Sequence, residues 1–289
     1  ANTQNVKLGT SIMQMSARTP AATAMAAMTM DHLSGGRFIA GIGASGPQVV
    51  EGWYGQPYSR PLERTREYVN IMRQIFARED TVGFEGKHFQ LPFPHGTGLG
   101  KPLKSTVHPY RKDIPIYLAA EGPKNVALSA EICDGWLPLF FAPKDNQFYK
   151  DALQSGMDVG GRNNWDDFEI AAMCSLIPGA DVEDCANKIR PMLALYVGGM
   201  GAKGKNFHFD VFVRMGFEAE CDKIQQLYLS GNKAEAIAAV PLEMCEAVAL
   251  LGPPSKIKDE LALWEESVVN TLLISGPPQL LEFAADLVS

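Results

Sequence analysis

The sequence has no apolar run that approaches the roughly 18 residues of a membrane span. It has no C-x-x-C pair and no H-E-x-x-H, and its five histidines are scattered, so no zinc or other metal site is expected. The five cysteines (Cys133, Cys174, Cys185, Cys221 and Cys245) are an odd, dispersed set. In a chain of 289 residues that pattern reads as reduced, buried thiols in a cytoplasmic protein rather than a disulfide framework. Basic charge is short as well: 26 Lys and Arg against 33 Asp and Glu leave −7, a poor basis for general nucleic-acid binding. No internal repeat or low-complexity tract occurs, and Ala1 to Lys7 is polar with no secretory pattern.

What is there is an alternation of short apolar runs and helical stretches. The runs are VKLGTSIM (6–13), RFIAGIG (37–43), IPIYLAA (114–120), GWLPLF (135–140), FEIAAMCSLI (168–177) and VNTLLIS (269–275). Several are nearly continuous in apolar or small residues, as strands buried on both faces of a parallel sheet are. Helices are expected from Pro20 to Leu33, from Pro61 to Arg78, from Gly122-Pro123 to about Cys133, and from Pro254 to Ser267. Proline marks the starts, and Ser34-Gly35-Gly36 marks one end. A small hairpin is expected around Glu85-Gly86. The order predicts an α/β fold with a parallel sheet. Six strands are expected where a closed (β/α)8 TIM-type barrel needs eight. The barrel reading therefore expects the chain, 1–289, to be one barrel domain lacking its first two βα units; an open doubly wound sheet is the alternative. The segments 93–113 and 178–253 are too long for ordinary loops and are expected to be excursions that shape a site.

Three turns carry chemistry. GIGASG (41–46) follows a strand and fits G-x-G-x-x-G, but Pro47 to Glu51 leaves no room for the full helix of a dinucleotide site. It reads instead as a strand end of small residues whose N–H groups are open to a flat or anionic ligand. Trp53-Tyr54 after it could wall a ring pocket or pack in the core. GTGLGK (96–101) fails as a P-loop, with His95 and Pro102 where Gly and Ser/Thr are needed. AAEGPKN (119–125) ends a strand and opens a helix, where free N–H groups and Lys124 favour an anion. Over 93–125, Lys101, Lys104, Arg111, Lys112 and Lys124 against Asp113 and Glu121 give a local +3, which suits a phosphate-bearing ligand or a solvated loop.

Taken together, VKLGTSIM, LSGGRFIAGIGASGP, the SRPLERTREY helix start, IPIYLAAEGPKN, YVGGMGAKGKNFH and VNTLLISGPP resemble the bacterial-luciferase-like superfamily, and within it the coenzyme F420-dependent oxidoreductases. The resemblance implies a TIM-type barrel with the cofactor at the C-terminal ends of the strands. It implies hydride transfer between the deazaflavin and a small organic substrate. FMN is the alternative cofactor, in a monooxygenase of the same superfamily; a non-catalytic deazaflavin-binding barrel is a further alternative. A homodimer is the candidate assembly.

The resemblance also assigns the cofactor site. Ser11 and Ile12 form a bulge with a non-proline cis peptide against the ring. Gly43, Ala44 and Ser45 face the ring or ribityl chain. Ala120, Glu121, Gly122 and Lys124 hold the phosphate. Lys101, Lys104 and Arg111 meet the acidic polyglutamate tail. No catalytic acid or base is assigned.

Overall fold

Proline sets where the helices begin. In the computed structural model, which describes residues 2–288, helices α1 (Pro20–Ser34), α2 (Pro47–Gly52) and α3 (Pro61–Ala77) each start on proline. There the missing N–H leaves no hydrogen bond unmade. So do α4 (Pro123–Ile132) and, further on, α12 (Pro254–Glu265) and α13 (Pro278–Leu287). α2 is the one departure: a six-residue helix does form after GIGASG, too short for the dinucleotide pattern but not absent.

The chain divides into two compact units. The first holds the residues up to Ala120 together with Ala127–Trp136 and Ser155–Phe168. Its strands are β1 (Leu8–Gly9), β2 (Met13–Gln14), β3 (Phe38–Gly43), the hairpin β4 (Phe84–Glu85) and β5 (Gln90–Leu91), and β6 (Ile116–Ala119), with β7 (Gly135–Leu137) beginning beside β6. β3 is central. It runs parallel to β1, to β2 and to β6, the last in register from Ala40 opposite Ile116 to Gly43 opposite Ala119. All but Ile39 of β3 is buried, which is why its sequence is a continuous run of apolar and small residues. Ala24, Ala27 and Met28 of α1 and Tyr68, Met72 and Phe76 of α3 share its core.

The second unit holds Glu121–Val126, Leu137–Gln154 and the chain from Glu169 onward. After α5 (Asn146–Gly160), the expected single strand 168–177 is two strands. β8 (Glu169–Met173) pairs in parallel with β11 (Thr271–Leu273), and β9 (Ser175–Pro178) pairs in parallel with β10 (Ala249–Gly252). Cys174 lies between the two partner sets, its N–H bonded to Leu273. The excursion 178–253 folds into helices α6 (Val182–Ala186), α7 (Arg190–Gly198), α8 (Phe207–Arg214), α9 (Glu218–Leu229), α10 (Lys233–Ala238) and α11 (Leu242–Glu246), which lead to β10. They close on their own core of Leu193, Val197, Phe212, Ile224 and Met244. α12 (Pro254–Glu265) and α13 (Pro278–Leu287) flank β11 in sequence. No helix among the described residues is long and apolar enough to cross a membrane.

Candidate active site

Parallel strands end together, and residues just past their C-terminal ends collect at one edge of the sheet. In the first unit that edge is Gly43 and Ala119. The strand beside it carries one extra residue. Gly9 pairs with Ile39 and Met13 with Ile42, so four steps on one strand span three on the other, which is a bulge. The bulge contains the Ser11–Ile12 peptide, and that bond is cis, as the resemblance implies. Ile12 lies against the bare Gly43: a Cβ there would sit 2.9 Å from Ile12 Cδ1 and 3.4 Å from Ala119 Cβ. Ser11, Ile12, Gly43 and the half-buried Ala44 and Ser45 thus come together. Ser45 takes the left-handed conformation, φ 60°. Ala120 is buried, and its carbonyl accepts the Trp136 indole N–H at 2.8 Å.

A shallow cleft with room for about one water molecule opens beside Ala44, lined also by Ser16, Tyr58, Ser59 and Arg64. Burial pushes the Tyr58 phenol above its ordinary pKa. Arg64 lies 5.3 Å over the Phe89 ring, and its Nε is buried with no acceptor. Gln14 Oε1, on the residue opposite Gly43, is also buried without a partner. Sequence reasoning did not single out Arg64. Its signal was position, in the first turn of α3, the second helix after the GIGASG turn.

In the second unit Glu121 has an unforeseen partner. His208 Nδ1 lies 2.9 Å from Oε1 and 2.8 Å from Oε2; only the first meets hydrogen-bond geometry, and Oε2 has no bonded partner. Arg214 donates to the Glu121 carbonyl at 2.9 Å and stands 5.3 Å over Phe148. His208 packs edge-on against Phe140 and Tyr196. Burial raises the pKa of Tyr149, and it raises those of Asp145 and Asp210, against the pull of Arg214. Asn206 holds the segment: its Nδ2 donates to the Tyr196 and Val197 carbonyls, and its Oδ1 caps α8 at His208 and Phe209. Gly122 and the exposed Lys124 open α4, whose Asn125 and Val126 N–H groups return to the Gly122 carbonyl.

The three residues expected at the cofactor's tail lie away from the bulge edge. Arg111 pairs with Asp31, a carboxylate with 0% exposure, and donates to the Phe38 carbonyl at 2.8 Å. Phe38 begins β3 and Gly43 ends it, so Arg111 is roughly 16 Å from the bulge edge, at the other end of the strand. It neutralises a buried carboxylate that also accepts the Phe38 N–H. Lys104 donates to the Glu79 carbonyl, just past the C-terminus of α3. Lys101 is exposed, two residues ahead of Leu103, which bridges to Val82 beyond that same helix end. The local positive charge is real, but the structure does not bring these three to Gly43. Trp53 is 82% exposed and does not pack in the core.

Comparison with known proteins gives four findings. The profile of the luciferase-like monooxygenase family matches residues 1–271. Among relatives, a Mycobacterium tuberculosis protein named as a coenzyme F420-dependent oxidoreductase is 50% identical over 96% of this chain and 80% of its own. A 5,10-methylenetetrahydromethanopterin reductase of Archaeoglobus fulgidus is 29% identical over 96% of this chain and 78% of its own. Among solved structures, the coenzyme F420-dependent tetrahydromethanopterin reductase of Methanopyrus kandleri superposes with a TM-score of 0.77 at 24% identity, covering 96% of this chain and 79% of that one. That likeness shows the fold.

Proposed function

Because the chain belongs to the luciferase-like monooxygenase family, we propose that it is a coenzyme F420-dependent oxidoreductase that moves a hydride between the deazaflavin and a small organic substrate. The observation that carries the choice of cofactor is the 50% identity, over nearly the whole chain, to a protein named for that coenzyme.

The residues present suit the group. At the edge of the first unit, Gly43 has no side chain to occupy the space over the sheet end, and Ile12 fills it from the bulge. The result is an apolar backbone ledge for a flat ring. The bound deazaflavin supplies or accepts the hydride. The chain does the rest: the ledge of Ser11, Ile12 and Gly43 orients the ring, and Ala44 and Ser45 border it. Small residues there let the ring approach the backbone closely.

The test is oxidation of reduced coenzyme F420 by the purified protein, followed by the return of the deazaflavin absorbance, across ketones, enones and quinones. Turnover with at least one acceptor, dependent on F420 and not replaced by reduced FMN, is expected. Turnover only with reduced FMN and oxygen would overturn the proposal.

A further inference from the structure

In the second unit an imidazole is held by a carboxylate on one nitrogen and left free on the other. His208 Nδ1 lies 2.9 Å from Glu121 Oε1, and a carboxylate accepts, so Nδ1 carries the hydrogen. Nε2 then holds the lone pair, or a second hydrogen when the ring is charged. Nε2 has no hydrogen-bond partner among the described residues, yet it is not sealed from solvent as His88 Nε2 and Glu121 Oε2 are. The His208 side chain keeps 23% exposure. Its free nitrogen is open to an incoming group.

Both members of the pair are fixed in place. The Phe140 and Tyr196 rings meet the imidazole edge-on at 5.8 and 4.8 Å, which sets its rotation. Asn206 Oδ1 accepts the His208 N–H at the start of α8. Arg214 donates to the Glu121 carbonyl and so holds that backbone. The Glu121 side chain is 11% exposed, and among the described residues its only ion pair is with His208. A carboxylate so placed fixes the tautomer and steadies the positive charge that the ring carries when Nε2 is protonated.

The position of the pair suits chemistry as well. Glu121 is the second residue after β6, which ends at Ala119. Parallel sheets bind their ligands just past the C-terminal ends of the strands. His208 is brought to Glu121 by the helical excursion between β9 and β10.

We propose that His208 Nε2 is the proton donor and acceptor that accompanies hydride transfer, with Glu121 as its positioning residue. The assignment rests on the F420 proposal. With a ketone, the hydride from reduced F420 forms the new C–H bond at the carbonyl carbon, the C=O π pair moves to oxygen, and Nε2–H gives that oxygen its proton. Reduced F420 is the two-electron reductant, and the proton shed as it is oxidised returns to Nε2 by way of solvent. In the reverse direction Nε2 takes the proton of the alcohol.

Steady-state kinetics with reduced F420 and an acceptor that the wild type turns over test the role, beside F420 affinity from equilibrium titration. His208→Ala is expected to lower kcat by about a hundredfold or more and to leave F420 affinity within a few-fold. Added imidazole is expected to restore part of that kcat, which the loss of a merely structural histidine would not allow. Glu121→Gln keeps the shape and removes the charge, and is expected to lower kcat by about tenfold or more. Unchanged kcat in His208→Ala, or a loss that imidazole leaves as it is, overturns the assignment.

The second arm reads no turnover and needs no variant. Diethyl pyrocarbonate acylates a free imidazole nitrogen, and mass spectrometry separates His208 from the other histidines of the chain. Labelling of His208 is expected in the free protein. It is expected to be several-fold slower with reduced F420 and the reduced product bound together, a pair that cannot react. A His208 that is not labelled, or is labelled equally fast in that complex, overturns the assignment. Circular dichroism checks folding, and if His208→Ala does not fold this arm decides alone. A wild type that turns over no acceptor with reduced F420 overturns the proposed function and this assignment together; turnover that survives the loss of His208 overturns this assignment alone.

Discussion

Ile12 Cγ1 and Cδ1 would lie 3.2 and 2.9 Å from a Cβ placed on Gly43, so the bulge side chain occupies the space that any other residue at 43 would need. Gly43→Ala must push Ile12 off the strand end. We expect a loss of about 1–2 kcal/mol of stability from overpacking, and a weaker deazaflavin complex because the ledge moves. Gly9→Ala is the control, since its nearest neighbours would be 3.6 Å away. Urea melts and F420 titrations of the two variants should separate; equal behaviour would mean that the ledge does not depend on Gly43.

Arg111 belongs to the opposite end of β3. Arg111→Ala leaves Asp31 charged, buried and without its cation. Such a change costs about 3 kcal/mol. Stability should fall by that order while F420 affinity in the folded variant stays at the wild-type value. A selective loss of F420 binding would return Arg111 to the cofactor's tail.

Asn206 holds two carbonyls and caps a helix with one side chain. Asn206→Ala removes the cap and leaves the Tyr196 and Val197 carbonyls short of a donor. About 2–3 kcal/mol of destabilisation is expected from these losses. Asn206→Asp restores the cap but not the two donated bonds, and should recover only part. Thermal unfolding of both variants measures the split.

Alkali should weaken the fold. Burial pushes the Cys133, Cys174, Cys221 and Cys245 thiols up to about 12 from an ordinary value of 9.0. The Tyr68 and Tyr149 phenols are raised in the same direction. Between pH 9 and about 12 the folded chain therefore holds protons that the unfolded chain releases. Stability is fully present below the lower value and falls as pH rises through that window. The urea midpoint should be lower at about pH 10.5 than at about pH 8. The native protein should also react slowly with a thiol reagent that labels all five cysteines once it is unfolded.

Helix starts were legible because proline at the first helical position acts locally: Pro20, Pro61, Pro123 and Pro254 begin α1, α3, α4 and α12. Strands β3 and β6 were legible as continuous apolar runs for the same reason they are buried. The split of 168–177 was not, because both halves are apolar and only their partners, β11 and β10, distinguish them. Residues 178–253 showed no strand–helix rhythm, and their six short helices are held by a core assembled across the segment. The bulge at Ser11–Ile12 is invisible to periodicity and came through resemblance alone. Charge counting did not reveal the partners of Lys104 and Arg111, because net charge over a segment carries no information about which group each side chain meets. Arg64 and His208 were missed because their partners, or the lack of them, lie on other elements.

Side-by-side equilibrium titration with coenzyme F420 and FMN, both oxidised, tests the central claim most directly. The account predicts saturable F420 binding, tighter than FMN by at least about tenfold, and weakened by Gly43→Ala. FMN binding as tight as or tighter than F420, or F420 affinity indifferent to Gly43→Ala, would contradict it.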